Sequence, residues 1–144
     1  QGDKAIVSMR EDSTVRQREN YVREQYRLIL KKEIERLLPK WESITGLHCD
    51  SWQTKYMITR WGTCNTDKKR LWFNLQLAQK PIECLEYVIL YELIHLRERT
   101  HNDTFIAYMD LYMKDWRSIR KELNDSRLDY YDAQDESPLQ KLID

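Results

Sequence analysis

The sequence predicts an α+β domain in which three main helices enclose a small antiparallel sheet. Two long stretches carry a helical apolar period, and a central stretch changes to alternation. Only three Gly and three Pro occur in 144 residues, so little interrupts the helices. The length suits one domain. With 41% apolar and 33% charged residues, the chain is neither a polar disordered tract nor a membrane protein. The 24 Lys+Arg balance the 24 Asp+Glu, which argues against the broad basic surface that binds nucleic acid non-specifically.

The first helix is expected from about Thr14 to Leu38, where Val15, Val22, Tyr26, Ile29, Leu30, Ile34, Leu37 and Leu38 share one face. Asp12 and Ser13 are good N-caps and Pro39 is the expected stop. Segments 56–61 and 70–77 read as strands of a hairpin over about 55–77, turned at Asn65-Thr66-Asp67-Lys68, with a further strand near 47–52. A second helix is expected over about 82–99, opened by Pro81 at its first position and apolar nearly all round, so it must be buried. Asn102 or Asp103 can cap a third helix over about 103–124, whose inner face carries Phe105, Met109, Trp116, Ile119 and Leu123. An acidic tail, 125–144, follows and reads as a solvated extension.

Cys49, Cys64 and Cys84 are odd in number and form no CxxC pair, which argues against a disulfide scaffold and a cysteine zinc knuckle and fits a reducing, cytoplasmic setting. Burial rather than nucleophilic chemistry is expected of Cys64 and Cys84. No uncharged run approaches the ~20 residues that span a bilayer, so no membrane partner is expected. The opening Gln1-Gly2 reads as a cloning remnant, and the chain as a fragment of something longer.

Polar chemistry inside the apolar second helix is the informative feature, because burying Glu92 and His95 without partners would cost several kcal/mol. Tyr91, His95 and Glu98 fall within about 60° of one another around the helix, and Glu92 projects beside them. His101 can fold back to the same point if the chain reverses. Two imidazoles with a nearby carboxylate suit a catalytic zinc site, in which the carboxylate takes a proton from water. The familiar pattern is HExxH; here the residues are Tyr91-Glu92-Leu93-Ile94-His95, with tyrosine in the first histidine's place. A buried Glu92–His95 pair tying helix to sheet is the structural alternative. His48 reads as an ordinary surface or packing histidine, and Trp61 and Trp72 as packing for the sheet. Arg60 is read as a contact to substrate or oxyanion, or as a structural ion pair.

The flanking motifs add a resemblance. Residues Thr59-Arg60-Trp61-Gly62-Thr63-Cys64-Asn65, Phe73-Asn74-Leu75-Gln76-Leu77-Ala78, Pro81, Leu85 through Leu96, and His101-Asn102-Asp103-Thr104-Phe105 occur in an order and spacing that resembles the YgjP-like metallopeptidase family, related to the SprT and WLM zinc proteases. The resemblance implies a minimal zincin cleaving peptide or protein substrates. Zinc is its expected cofactor, with His95 and His101 as ligands and Glu92 as general base. It also implies an N-terminal β-rich portion that this chain lacks.

Three explanations for Tyr91 stand open. It ligates through a phenolate; or Glu98 completes the metal set, although a hydrogen bond to a ligand histidine suits Glu98 better; or the site is degenerate and the domain binds peptides without cleaving them. A nucleic-acid-associated role is suggested only by the SprT kinship and by the ten Lys/Arg against seven Asp/Glu in residues 1–40.

Overall fold

The structure, a computed structural model, describes residues 14–125; the expected caps Asp12 and Ser13 and the tail after Asp125 lie outside them. Helix α1, Val15–Thr45, begins at a capping box in which Thr14 Oγ1 accepts from the Gln17 amide and the Gln17 side chain accepts from the Thr14 amide. It ends at Gly46, whose φ of 73° is the left-handed conformation that glycine adopts at least cost. Pro39 does not end it, contrary to the sequence reading. The ring removes one helical hydrogen bond. Continuing the helix buries Trp41 and brings its indole N–H to Glu86 Oε1 at 3.0 Å, where Lys40 Nζ also binds at 2.6 Å. Those contacts outweigh the one bond lost.

The sheet is mixed rather than wholly antiparallel. Strands β1 (Ser51–Lys55), β2 (Gly62–Asn65) and β3 (Arg70–Asn74) lie in the order β1-β3-β2, with β1 parallel and β2 antiparallel to β3. The hairpin turn forms as expected, with Asn65 Oδ1 accepting from the Lys68 amide, but its first strand starts at Gly62 rather than in segment 56–61. Segment 56–61 crosses to the other side of β3 instead, because the side chain of Asn74 takes up its backbone. Asn74 Nδ2 donates to Met57 O at 3.0 Å and to Arg60 O at 2.6 Å, and its Oδ1 accepts from Met57 N. Gln76 Nε2 also reaches Met57 O, at 2.9 Å. The chain after Asn74 tightens into a 3₁₀ turn, Leu75–Gln79, that buries Leu75 and Leu77.

Helix α2, Ile82–His95, is capped by Pro81 rather than starting on it, and it stops at His95, short of the expected end near 99. Ten of its fourteen residues are buried, which makes it the central element of the core. The expected third helix is two: α3, Asp103–Tyr112, and α4, Trp116–Asp125. At the break Met113 is extended (φ −147°, ψ 91°), and this re-aims Trp116, Ile119 and Leu123 into the core. Trp116 stacks on Tyr87 with 6.5 Å between ring centroids, and its N–H reaches Asp110 at 2.8 Å. The α+β class thus holds, with four helices among the described residues in place of three. Among the described residues no helix is long and apolar enough to cross a membrane.

Candidate functional site

A cleft of about 320 Å³ opens where the end of α2 meets β2. Gly62, Thr63 and Cys64 of β2 form one wall, Tyr91, Glu92 and His95 of α2 the floor, and Arg60, Thr66, Arg99 and His101 the rim.

Glu92 lies at the bottom, 5% exposed. Its depth depends on Gly62: a Cβ there would stand 3.0 Å from Glu92 Oε2 and 2.8 Å from Val88 Cγ1, so only glycine lets the strand approach the helix this closely. Burial pushes the Glu92 carboxyl up to about 8, against a smaller opposing pull from the Arg60 guanidinium. Desolvation, followed by the Glu92 charge, pushes the neighbouring Cys64 thiol up to about 12, so Cys64 is a poor nucleophile at neutral pH.

The turn after α2 brings His101 back over the helix. Asn102 caps α3 by accepting from Phe105 N at 2.9 Å and donates to Glu98 Oε1 at 3.1 Å, which fixes the loop from both sides. His101 Nε2 then lies 3.0 Å from His95 Nε2 and 2.5 Å from Tyr91 Oη. Phe105, itself buried, backs the cluster, with ring centroids 5.0 Å from Tyr91, 4.8 Å from His95 and 5.0 Å from His101.

His95 Nδ1 is 3.0 Å from the Glu98 carbonyl oxygen, which can only accept, so the ring hydrogen sits on Nδ1 and Nε2 is a bare lone pair. Burial lowers the pKa of His95, with the Glu98 carbonyl working the other way. Glu98 therefore meets His95 through its backbone, while its carboxylate is turned to Asn102. His48 stands apart, exposed, 3.8 Å from Glu42.

Two imidazole nitrogens and a phenol oxygen thus converge at the mouth of a pocket whose floor is a carboxyl group. This donor set fits a transition-metal ion of the zinc type. Among the described residues no three His, Cys, Asp or Glu side chains form such a group; the further oxygen in this cluster is that of Tyr91. Sequence reasoning did not single out Gly62 or Asn74 as residues that shape the site. A glycine inside a strand pattern, in a chain with only three, was the available signal for Gly62.

No curated protein matches the chain. Solved structures share its fold, among them two metallopeptidase zymogens. The metallopeptidase zymogen abylysin of Pyrococcus abyssi superposes with a TM-score of 0.59 at 15% identity, covering 64% of this chain and 92% of its own. The metallopeptidase zymogen jannalysin of Methanocaldococcus jannaschii gives 0.56 at 20% identity, covering 64% and 94%. The family described as "YgjP-like, metallopeptidase domain" matches residues 1–126, and the chain belongs to that family.

Proposed function

We propose that this domain is a zinc peptidase in which His95 and His101 hold the metal and Glu92 is the general base. The observation that carries it is the pairing of two facing imidazole nitrogens, 3.0 Å apart, with a carboxyl buried on the same helix. When bound, zinc supplies the Lewis acidity that polarises a scissile carbonyl and makes water easier to deprotonate. The chain supplies the rest. Glu98 O fixes the tautomer of His95, and Phe105 keeps bulk water from the back of the cluster. Glu92, desolvated by Gly62 and Val88, takes the water proton at its carboxylate and returns it to the leaving amine. The Arg60 guanidinium favours the ionised carboxylate that this role requires, against the desolvation that raises its pKa. Arg60, on the rim, binds the developing oxyanion of the substrate in this reading, and its position lining the cleft supports the role.

Tyrosine at position 91 favours a second reading, a domain that binds peptides in the cleft without cleaving them. One experiment separates the two: zinc-loaded protein and its Glu92→Gln variant are assayed for cleavage and for binding of unfolded polypeptide. The peptidase reading expects cleavage that falls ~10²–10⁴-fold in the variant. Binding with no cleavage, unchanged by Glu92→Gln and by a chelator, would establish the module instead.

A further inference from the structure

Charge is unevenly placed along the cleft. Among the described residues that line it, the guanidiniums of Arg60 and Arg99 face a single carboxyl, that of Glu92 on the floor. Arg60 acts on Glu92 electrostatically, so its charge belongs to the reacting centre. Arg99 stands at the mouth, where its Nη2 lies 2.7 Å from Asp67 Oδ1 on the β2–β3 turn.

Both members of that pair grow from backbone that is held in place. The turn carrying Asp67 is closed by Asn65 Oδ1, which accepts from the Lys68 amide at 3.1 Å, and by Lys69 in the left-handed region at φ 50°. Arg99 follows Glu98, whose amide donates to Ile94 O at 2.8 Å, whose carbonyl meets His95 Nδ1 and whose carboxylate accepts from Asn102. The two side chains are nevertheless well solvated, so the contact between them is weak and readily exchanged. A guanidinium on a fixed backbone, lining a cleft and loosely occupied by a carboxylate, is a carboxylate receptor with an internal occupant. Arginine suits that task, because its planar fork takes a carboxylate through two parallel hydrogen bonds.

We propose that Arg99 is the specificity-determining residue of the cleft: it binds a carboxylate of the substrate near the scissile bond, and Asp67 holds that place until the substrate displaces it. The inference deepens the peptidase reading and rests on it for the cleavage that follows binding. The carboxylate is an Asp or Glu side chain or a chain's own C-terminus, and both present one chemistry to Arg99. Opposite signs are expected for the two partners. Loss of Arg99 removes the receptor, whereas loss of the Asp67 charge removes its competitor. A pair that merely held the loops together would weaken the cleft when broken from either side.

The test measures peptide binding by fluorescence anisotropy, on the full zinc-loaded chain carrying Glu92→Gln so that substrate is not consumed. Labelled peptides of one length are compared: amidated with an internal Glu, Gln or Lys, and the Gln peptide with a free C-terminal carboxylate. One or both of the peptides bearing a carboxylate should bind about 5-fold more tightly than the amidated Gln peptide, and the Lys peptide should bind least. Which of the two it is identifies the source of the carboxylate. Adding Arg99→Gln should abolish the preference and Arg99→Lys should keep part of it, while Asp67→Asn should strengthen it by roughly 2-fold. Arg117→Gln, which breaks the Arg117–Asp110 pair outside the cleft, should leave it unchanged. With Glu92 restored, cleavage should rank the peptides in the same order through KM. Equal binding of acidic and neutral peptides, or a preference that survives Arg99→Gln, would overturn the role of Arg99 while cleavage kept the peptidase reading standing. Weaker binding in Asp67→Asn as well as in Arg99→Gln would also overturn it, by showing a clamp in place of a receptor. A preference lost in Arg99→Gln, with no cleavage by the unaltered zinc-loaded chain, would keep the receptor and overturn the peptidase reading.

Discussion

Asn74 and Glu92 are buried to almost the same depth, 0% and 5% exposed, in two neighbouring regions of one core, and the protein treats them in opposite ways. Asn74, at the anchor of the 56–61 crossing, donates to two carbonyls and accepts from the amides of Met57 and Gln76. Every polar position it has is used, so its burial costs little and fixes the loop that carries Arg60. Glu92, at the floor of the cleft, is held by the fit of Gly62 and Val88 against it, and desolvation raises its pKa. A satisfied polar group specifies architecture, whereas a desolvated one stores reactivity.

The largest effect is expected at the satisfied site. Asn74→Ala strips partners from three backbone amides or carbonyls in the crossing segment and from the amide of Gln76. Unfolding in urea should show a loss of about 3 to 5 kcal/mol. A loss under about 1 kcal/mol would mean that water replaces the side chain and that its bonds do not hold the loop.

Glu92 should show the opposite sign. Its carboxyl titrates near 8 when folded, against 4.5 ordinarily, so the folded state keeps a proton that the unfolded chain releases. Its stabilising effect is complete below the unfolded value and is lost as pH rises through the folded one. Metal-free protein should therefore lose on the order of 3 kcal/mol between about pH 5 and 8, and Glu92→Gln should remove most of that slope. Urea midpoints at three pH values test it; parallel slopes for the two proteins would show that Glu92 is ionised throughout.

The same contrast explains what could be read in the sequence. The burial of α2 was legible because its apolar residues leave no polar face, and the start of α1 because Thr14 precedes a clean apolar period. The passage of α1 through Pro39 was not, since it depends on Glu86, distant in the chain, meeting Trp41. Nor was the parallel placement of β1: segment 56–61 has strand-like composition, and only the side chains of Asn74 and Gln76 divert its backbone from a ladder. In the cleft, the helical wheel placed His95 and Tyr91 on one face, but the approach of His101 depends on a loop set by the bonds of Asn102. The wheel put Glu98 there too, and the structure turns its carboxylate away because α2 ends at His95.

Gly62→Ala sharpens the comparison from the strand side. A methyl group placed 2.8 Å from Val88 Cγ1 and 3.0 Å from Glu92 Oε2 must push β2 off the helix or turn the carboxyl aside. Thermal unfolding should show about 1 to 3 kcal/mol lost to overpacking. Because the displaced group is Glu92, cleavage should fall by more than the stability loss explains, with kcat falling and KM little changed. A variant with full cleavage would show that the close approach serves packing alone.

The smallest effect is expected at the mouth of the cleft, where Arg99 Nη2 meets Asp67 Oδ1 at 2.7 Å and joins the β2–β3 turn to the loop after α2. By distance alone this is the tighter contact, shorter than three of the four bonds of Asn74. Both side chains are nevertheless well solvated, 68% and 81% exposed, and water and salt compete for each of them. Asp67→Asn should change the unfolding free energy by about 0.5 kcal/mol or less, and added salt should erase even that. Its consequence belongs to binding instead: releasing Arg99, which lines the cleft, alters the charge met by an incoming chain, so KM should move while kcat stays. A salt-resistant loss above 1 kcal/mol would make the pair a structural clamp, and burial would no longer be what separates the polar contacts that hold this domain together from those that do not.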